Sequence, residues 1–265
     1  MFDLGRTVRF CVSPSGSGRD LSGWNTFAAS PPVTGLGAYH ELHVRFAGHP
    51  DPITGYLVDI SAVDQAVREH AVPVIEQALL SRPQQDAGRL LRRIVHALQS
   101  VLPRTMRSVT WRLTPFYSLT LESESMDLAL ISQQFEFAAA HRLHCPQLSD
   151  AENRRIFGKC NSPSGHGHNY RLEVTVAVAL PDEEEPPSFT LDDLERIVDQ
   201  RVVQRFDHTH LNLDTAEFAR LNPSVEHITK VCYELLREPL AEVGVELRRV
   251  TVWETEKTAC TYPAK

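Results

Sequence analysis

The stretch Gly158–Val174, GKCNSPSGHGHNYRLEV, places two histidines one glycine apart at the mouth of an apolar segment, with a cysteine six residues before the first histidine. Tyr170, Leu172, Val174, Val176 and Val178 then recur with a period of two, which predicts a β-strand. On a strand, residues i and i+2 point the same way, about 7 Å apart. His166 and His168 therefore present two imidazoles on one face, and Gly167 leaves room for close approach. The same frame occurs 130 residues upstream, at Gly35–Val44, GLGAYHELHV, without either histidine.

Working outward from this strand, FEFAAAHRL (135–143) predicts a preceding strand, and Leu143–Ser164, with its Pro, Asn, Ser and Gly, a long loop. PDEEEPPS (181–188) predicts a turn with a solvated acidic run. TLDDLERIVDQRVVQRF (190–206) opens on a Thr cap and repeats Leu191, Leu194, Ile197, Val198 and Val202 at helical spacing. NPSVEHITKVCYELLREPLAEV (222–243) predicts a second amphipathic helix, and LRRVTVWE and TACTYP two last strands. Strand, strand, helix, helix, strand, strand is the order of an α+β layer, an antiparallel sheet with two helices on one face.

The first half follows the same order. A shift of 130 superposes Gly35, Gly37, Leu42 and Val44 on Gly165, Gly167, Leu172 and Val174, and Phe27 on Phe157. GYLVDISAVDQAV starts where the first helix belongs, residues 89–101 match the second helix, and RSVTWRLTPF matches RRVTVWETEK. This predicts a duplication, with domains at 1–124 and 125–265 and a linker within Glu122–Gln134, ESESMDLALISQQ.

Composition bounds the function. With 42% apolar and 23% charged residues in 265, the chain is ordinary for one large globular domain or two of about 130. No apolar run nears the roughly 18 residues of a membrane span. MFDLGRTVRFCV lacks the features of a secretory signal. Five scattered cysteines without C-x-x-C point to a reducing compartment, hence a cytoplasmic location. A net charge of −7 argues against nonspecific nucleic-acid binding, yet leaves room for a small anionic substrate near the local cluster Arg154, Arg155 and Lys159.

His141, ending the preceding strand, is a candidate third imidazole. Three imidazoles with a vacant fourth position form the open tetrahedral arrangement of catalytic zinc. Cys160 reads as a fourth ligand, a free nucleophile or base, or a small buried residue. Asp207 beside His208 can orient an imidazole and stabilise its charge, or can simply cap a helix. His144 and His210 are left outside the site. Glu254, interrupting an apolar strand, sits either at the solvent edge or in a pocket, where a carboxylate accepts two parallel N–H bonds from a ligand such as a pterin or guanine.

Together FAAAHRL, KCNSPSGHGHNY, FDHTHLN, NPSVEH and VTVWETEKTACTY resemble the 6-pyruvoyltetrahydropterin synthase / 6-carboxytetrahydropterin synthase family, in order and spacing, over Phe135–Tyr262. The resemblance implies tandem tunnelling-fold (T-fold) domains, sheets from several subunits joined into a barrel, and active sites at subunit interfaces. It implies Zn2+ on His141, His166 and His168, Cys160 as proton-abstracting residue with Asp207 and His208 as partners, and Glu254 and Glu226 binding the pterin. The implied substrate is 7,8-dihydroneopterin triphosphate. The product is 6-pyruvoyltetrahydropterin, with loss of triphosphate, or, in the queuosine-precursor branch, 6-carboxytetrahydropterin. The cysteine six before the first histidine resembles the pyruvoyl branch. Ser224–Val225 departs from the two hydroxyl residues frequent in the family.

In the first half, Leu36 and Ala38 replace His166 and His168. Ser30 replaces Cys160, Leu113 replaces Glu254, and Pro14 or a neighbour replaces His141. That half is expected to be a catalytically silent copy, and the protein a homo-oligomer, a trimer or dimer of trimers. Competing expectations are a non-catalytic pterin- or purine-binding module and a structural zinc protein closed by Cys160.

Overall fold

The computed structural model describes residues 1–13, 27, 29–81, 85–180 and 185–264. Pro14 and most of the acidic run (181–184) lie outside the described residues. The chain forms two compact units. One comprises Met1–Ile131 with Val178–Ser188, the other Ser132–Ala177 with Phe189–Lys265.

In the first unit, β1 (Phe2–Val12), β2 (Ala38–Gly48), β3 (Met106–Thr114) and β4 (Tyr117–Glu122) pair antiparallel in that order. Val8 lies opposite Leu42 and Val44 opposite Val109, so each strand's apolar alternation falls on one face and is fully buried there. That face is covered by helical residues such as Val63, Val67, Leu91, Ile94 and Leu98. They belong to α1 (Ile60–Ala66), which passes through a π turn (Val67–Ala71) into α2 (Val72–Ser81), and to α3 (Ala87–Gln99). Asp59 and Asp86 cap the two helical segments through their carboxylates.

The second unit repeats this order with additions. β5 (Ser125–His141) begins in the first unit, and the boundary falls inside it. It neighbours β6 (His166–Ala179), which pairs antiparallel with β8 (Glu246–Thr255), itself paired with β9 (Thr258–Tyr262). Between β5 and β6 stands α4 (Asp150–Phe157), leading into a 3-10 turn (Gly158–Asn161). After β6, α5 (Leu191–Val198) continues through a π turn (Asp199–Val203) into α6 (Gln204–Phe206). The short strand β7 (Thr209–His210), pairing in parallel with Ala139 and Ala140, and α7 (Leu211–Asp214) lead towards α8 (Val225–Glu242).

Two expectations are corrected. The segment Glu122–Gln134 is no linker: after a two-residue turn at Ser123 and Glu124, β5 runs unbroken from Ser125 to His141, burying Ala129 and Ile131 with a period of two. Nor is Leu143–Ser164 all loop. Ser149 and Glu152 form a reciprocal capping box that starts α4, and the S-x-x-E spacing of SDAE carried that signal. Among the described residues no helix is long and apolar enough to cross a membrane.

The two histidine frames share their backbone. Gly35 and Gly165 both have positive φ, 61° and 69°. A Cβ on Gly37 would meet the carbonyl oxygen of Val12, and one on Gly167 that of Ala139, each on the preceding strand of its own unit. The first glycine of each frame is required by its left-handed backbone, and the Gly37 contact at 2.9 Å excludes a side chain, while the Gly167 contact at 3.5 Å is ordinary packing.

Candidate metal centre and active site

His141 ends β5 with its ring fully buried. Its Nδ1–H donates to the carbonyl oxygen of Pro223, 2.7 Å away and just before α8, which leaves the Nε2 lone pair free. His166 and His168 open β6 on the face the period of two dictates. The candidate ligand atoms of the three rings all lie within 4.8 Å of one another. Nε2 of His141 is 3.1 Å from Nε2 of His166, and the ring centroids are 4.5–5.1 Å apart. Nδ1 of His166 and Nε2 of His168 are buried without a hydrogen-bond partner. Nε2 of His168 is thus unpaired, and Nε2 of His141 and of His166 lie against one another; imidazole nitrogens gathered in this way, when nearly all buried polar groups are paired, fit a cation of the nitrogen-preferring type.

Electrostatics agree with this. Burial pushes the His141 imidazole down to about 4, with the neighbouring rings adding to it and the Pro223 hydrogen bond opposing. Burial also lowers His168, against the pull of Glu254. Both are held neutral, the form that binds a metal.

The structure brings Glu254 to this cluster rather than to the solvent edge. Its Oε1 is 3.5 Å from Nε2 of His141 and 3.8 Å from Nε2 of His168. Cys160 lies in the 3-10 turn, half-buried and free, with its carbonyl accepting from Leu143 N at 2.9 Å. Among the described residues the metal-competent group contains three imidazoles and no thiol. The turn is fixed by the buried Asn161, whose amide donates to the Leu143 carbonyl at 2.7 Å and whose own carbonyl accepts from Arg142 Nε at 3.2 Å.

Asp207 and His208 form a pair, Nδ1 of His208 lying 2.7 Å from Oδ2 of Asp207. Oδ1 of Asp207 accepts from Ala138 N at 2.7 Å, and His208 N donates to the Ala138 carbonyl. These bonds hold the Asp207 carboxyl below its usual range, the Ala138 bond first. The His208 side chain is 84% exposed, and no hydrogen bond among the described residues joins the pair to Cys160 or the three histidines. Glu226 is exposed in the first turn of α8, its carboxyl lowered chiefly by a hydrogen bond with Ser224. Among the described residues no hydrogen bond or ion pair joins it to the three histidines.

Sequence reasoning passed over Tyr170 and His210. Tyr170 is fully buried, stacks on Phe137 and places its hydroxyl 3.3 Å from Nδ1 of His141. It stands two residues past His168 on the same face, so the period of two could have found it. His210 helps line a groove of about 420 Å³ with His168 and His208, and its Nδ1 is buried and unpartnered. Nothing in its local sequence separates it from a surface histidine.

The profile of the family described as 6-pyruvoyl tetrahydropterin synthase matches residues 130–265. The human protein named 6-pyruvoyl tetrahydrobiopterin synthase is 37% identical over 134 residues, 51% of this chain and 90% of its own. The protein of that name from Drosophila melanogaster is 35% identical over 135 residues, 51% of this chain and 79% of its own. A solved structure of Caenorhabditis elegans 6-pyruvoyl tetrahydropterin synthase is 32% identical and covers 52% of this chain and 96% of its own, with a TM-score of 0.48.

Proposed function

The chain belongs to the 6-pyruvoyl tetrahydropterin synthase family through residues 130–265, and from that membership we propose that its second unit is a zinc-dependent lyase converting 7,8-dihydroneopterin triphosphate to 6-pyruvoyltetrahydropterin. The observation that carries this reading is the convergence of ring nitrogens of His141, His166 and His168 within 4.8 Å of one another, in a group that includes no thiol.

His141, His166 and His168 would hold the zinc, and the Pro223 carbonyl fixes the His141 tautomer by accepting from Nδ1, the nitrogen turned away from the other two rings. Zinc held there would supply Lewis acidity to the substrate side chain. Glu254 accepts two parallel N–H bonds from the pterin ring, and Glu226 contributes from the α8 terminus. Cys160 takes a proton from side-chain carbon as its thiolate. His208, held by Asp207, moves the second proton. Loss of inorganic triphosphate completes the reaction. The exposure of His208, with no hydrogen bond among the described residues joining it to Cys160, supports a homo-oligomer, a trimer or dimer of trimers, in which the pair of one copy serves the site of another.

The shared glycine geometry, the element order and the π turn in each first helix support a tandem T-fold in which the first unit is a silent copy. It has Leu36 and Ala38 in place of two ligands, and it helps build a barrel in the cytoplasm. 6-Carboxytetrahydropterin is the second product to test. Val225 is buried and Ser224 caps α8 by accepting from His227 N, so two hydroxyls are not available to the pterin as elsewhere in the family. Incubation of zinc-loaded protein with dihydroneopterin triphosphate, followed by mass analysis, tests the proposal. The pyruvoyl product is expected, and Cys160→Ala should abolish it while zinc stays bound. Binding of the substrate by the unaltered protein without turnover would overturn the enzyme reading in favour of a pterin-binding module.

A further inference from the structure

The chain is acidic overall, yet Lys159 adjoins Cys160 in its turn, Arg154 and Arg155 stand on the helix that leads into that turn, and Arg142 donates to the carbonyl of Asn161, the residue after Cys160. Arg6, Arg9 and Arg171 are paired with Asp64, Glu41 and Glu256. Among the described residues Arg142, Arg154, Arg155 and Lys159 have no carboxylate within ion-pair distance. Arg154 and Arg155 end α4 and Lys159 lies in the following turn, all exposed, while Arg142 is half-buried.

Their mounting is rigid. Asn153, fully buried in α4, accepts from Cys145 N at 2.7 Å and donates to the carbonyls of Cys145, Leu148 and Ser149. The capping box of Ser149 and Glu152 fixes the same N-terminal end of the helix. Arg142 spends Nε on the Asn161 carbonyl, and no hydrogen bond among the described residues occupies the rest of its guanidinium. A solvated segment does not require the helix that carries Arg154 and Arg155 to be riveted by four side-chain hydrogen bonds. A polyanion does, because preorganised cations lose little entropy on binding it.

We infer that Arg142, Arg154, Arg155 and Lys159 form the subsite that receives the triphosphate arm of the substrate and holds the triphosphate as it leaves. This rests on the proposed function and adds to it the location of the leaving group. In the proposed reaction Cys160 removes a proton from a carbon of the three-carbon side chain, whose far end carries the triphosphate. The phosphates must therefore lie within a few bonds of the sulfur, and Arg142 and Lys159 flank the turn that carries it, with Arg154 and Arg155 on the helix leading into it. The arm departs as inorganic triphosphate when its C–O bond breaks and the bonding electron pair leaves with the phosphate oxygen. Positive charge at that point stabilises the departing oxygens.

The test uses zinc-loaded protein, the double variant Arg155→Gln/Lys159→Gln and the double variant Arg154→Gln/Arg155→Gln. Because the substituted side chains are exposed, circular dichroism should show unchanged folding. In steady-state assays KM for dihydroneopterin triphosphate should rise about tenfold for each cation removed, with kcat changing less. Calorimetry with inorganic triphosphate alone should show binding to the unaltered protein that weakens by the same factor in the variants and falls with added salt. An unchanged KM and unchanged inorganic triphosphate binding in both variants would overturn the subsite while leaving the enzyme reading intact. If the unaltered protein turns over no substrate, the proposed function fails, and the calorimetry still decides the subsite by itself.

Discussion

Replacing Gly165 by alanine isolates what close packing at the histidine frame is worth. Gly165 has φ of 69° and Gly35, its counterpart in the first unit, 61°, so alanine at either position incurs the left-handed backbone penalty, about 1–2 kcal/mol. Their surroundings differ. A Cβ on Gly35 would meet nothing within 4 Å, whereas one on Gly165 would lie 2.6 Å from Nε2 of His210 and 3.0 Å from the backbone oxygen of His141. The His210 ring would have to swing aside, and the His141 carbonyl cannot move without shifting a proposed zinc ligand. Overpacking of this kind adds about 1–3 kcal/mol. Gly35→Ala should therefore cost the first unit about 1–2 kcal/mol and Gly165→Ala the second about 2–5 kcal/mol. Native-state hydrogen exchange on chelator-treated protein, read separately in β2 and β6 peptides, measures each unit without assuming that the chain unfolds in one step. Equal costs at the two glycines would refute the reasoning, since only the steric environment distinguishes them.

His168→Ala should remove the zinc, expected at about one ion per chain in the unaltered protein, as measured by metal analysis after dialysis; full retention would show that the three rings do not share a site. Arg68 is 5% exposed with Nη2 buried and unpartnered, so Arg68→Met should stabilise the first unit by about 1–4 kcal/mol, and a loss in thermal or denaturant unfolding would contradict this. His40 is buried beside Phe10 and accepts from Trp111 Nε1 at 3.2 Å, and burial lowers its pKa from 6.5 to about 4. Because the folded state favours neutral His40, its contribution is complete above the unfolded value of 6.5 and is lost as pH falls towards 4. Relative to His40→Phe, the unaltered first unit should lose up to about 3 kcal/mol across that window, and parallel stability–pH curves for the two proteins would exclude it.

Local physics made much of the fold legible. The alternation through Tyr170, Leu172 and Val174 identified β6, and Thr190 and Ser224 stand as the N-caps of α5 and α8. β5 was obscured where its early face is only half apolar. α4 carried a capping box in plain view, and its short, polar sequence hid it among loop residues.

The i, i+2 spacing of His166 and His168 needed only the strand to put both rings on one face, because side-chain alternation is a property of the backbone. Which other groups join them was beyond that logic. His141 arrives through the pairing of β5 with β6, Pro223 through the docking of α8, and Glu254 through the register of β8 against β6. Each depends on packing between segments tens of residues apart, and no local periodicity encodes it. The sequence left Cys160 open as a fourth ligand. The 3-10 turn, pinned by Asn161 against the segment after His141, keeps its sulfur outside the cluster of imidazoles, a choice that exists only once the chain is folded.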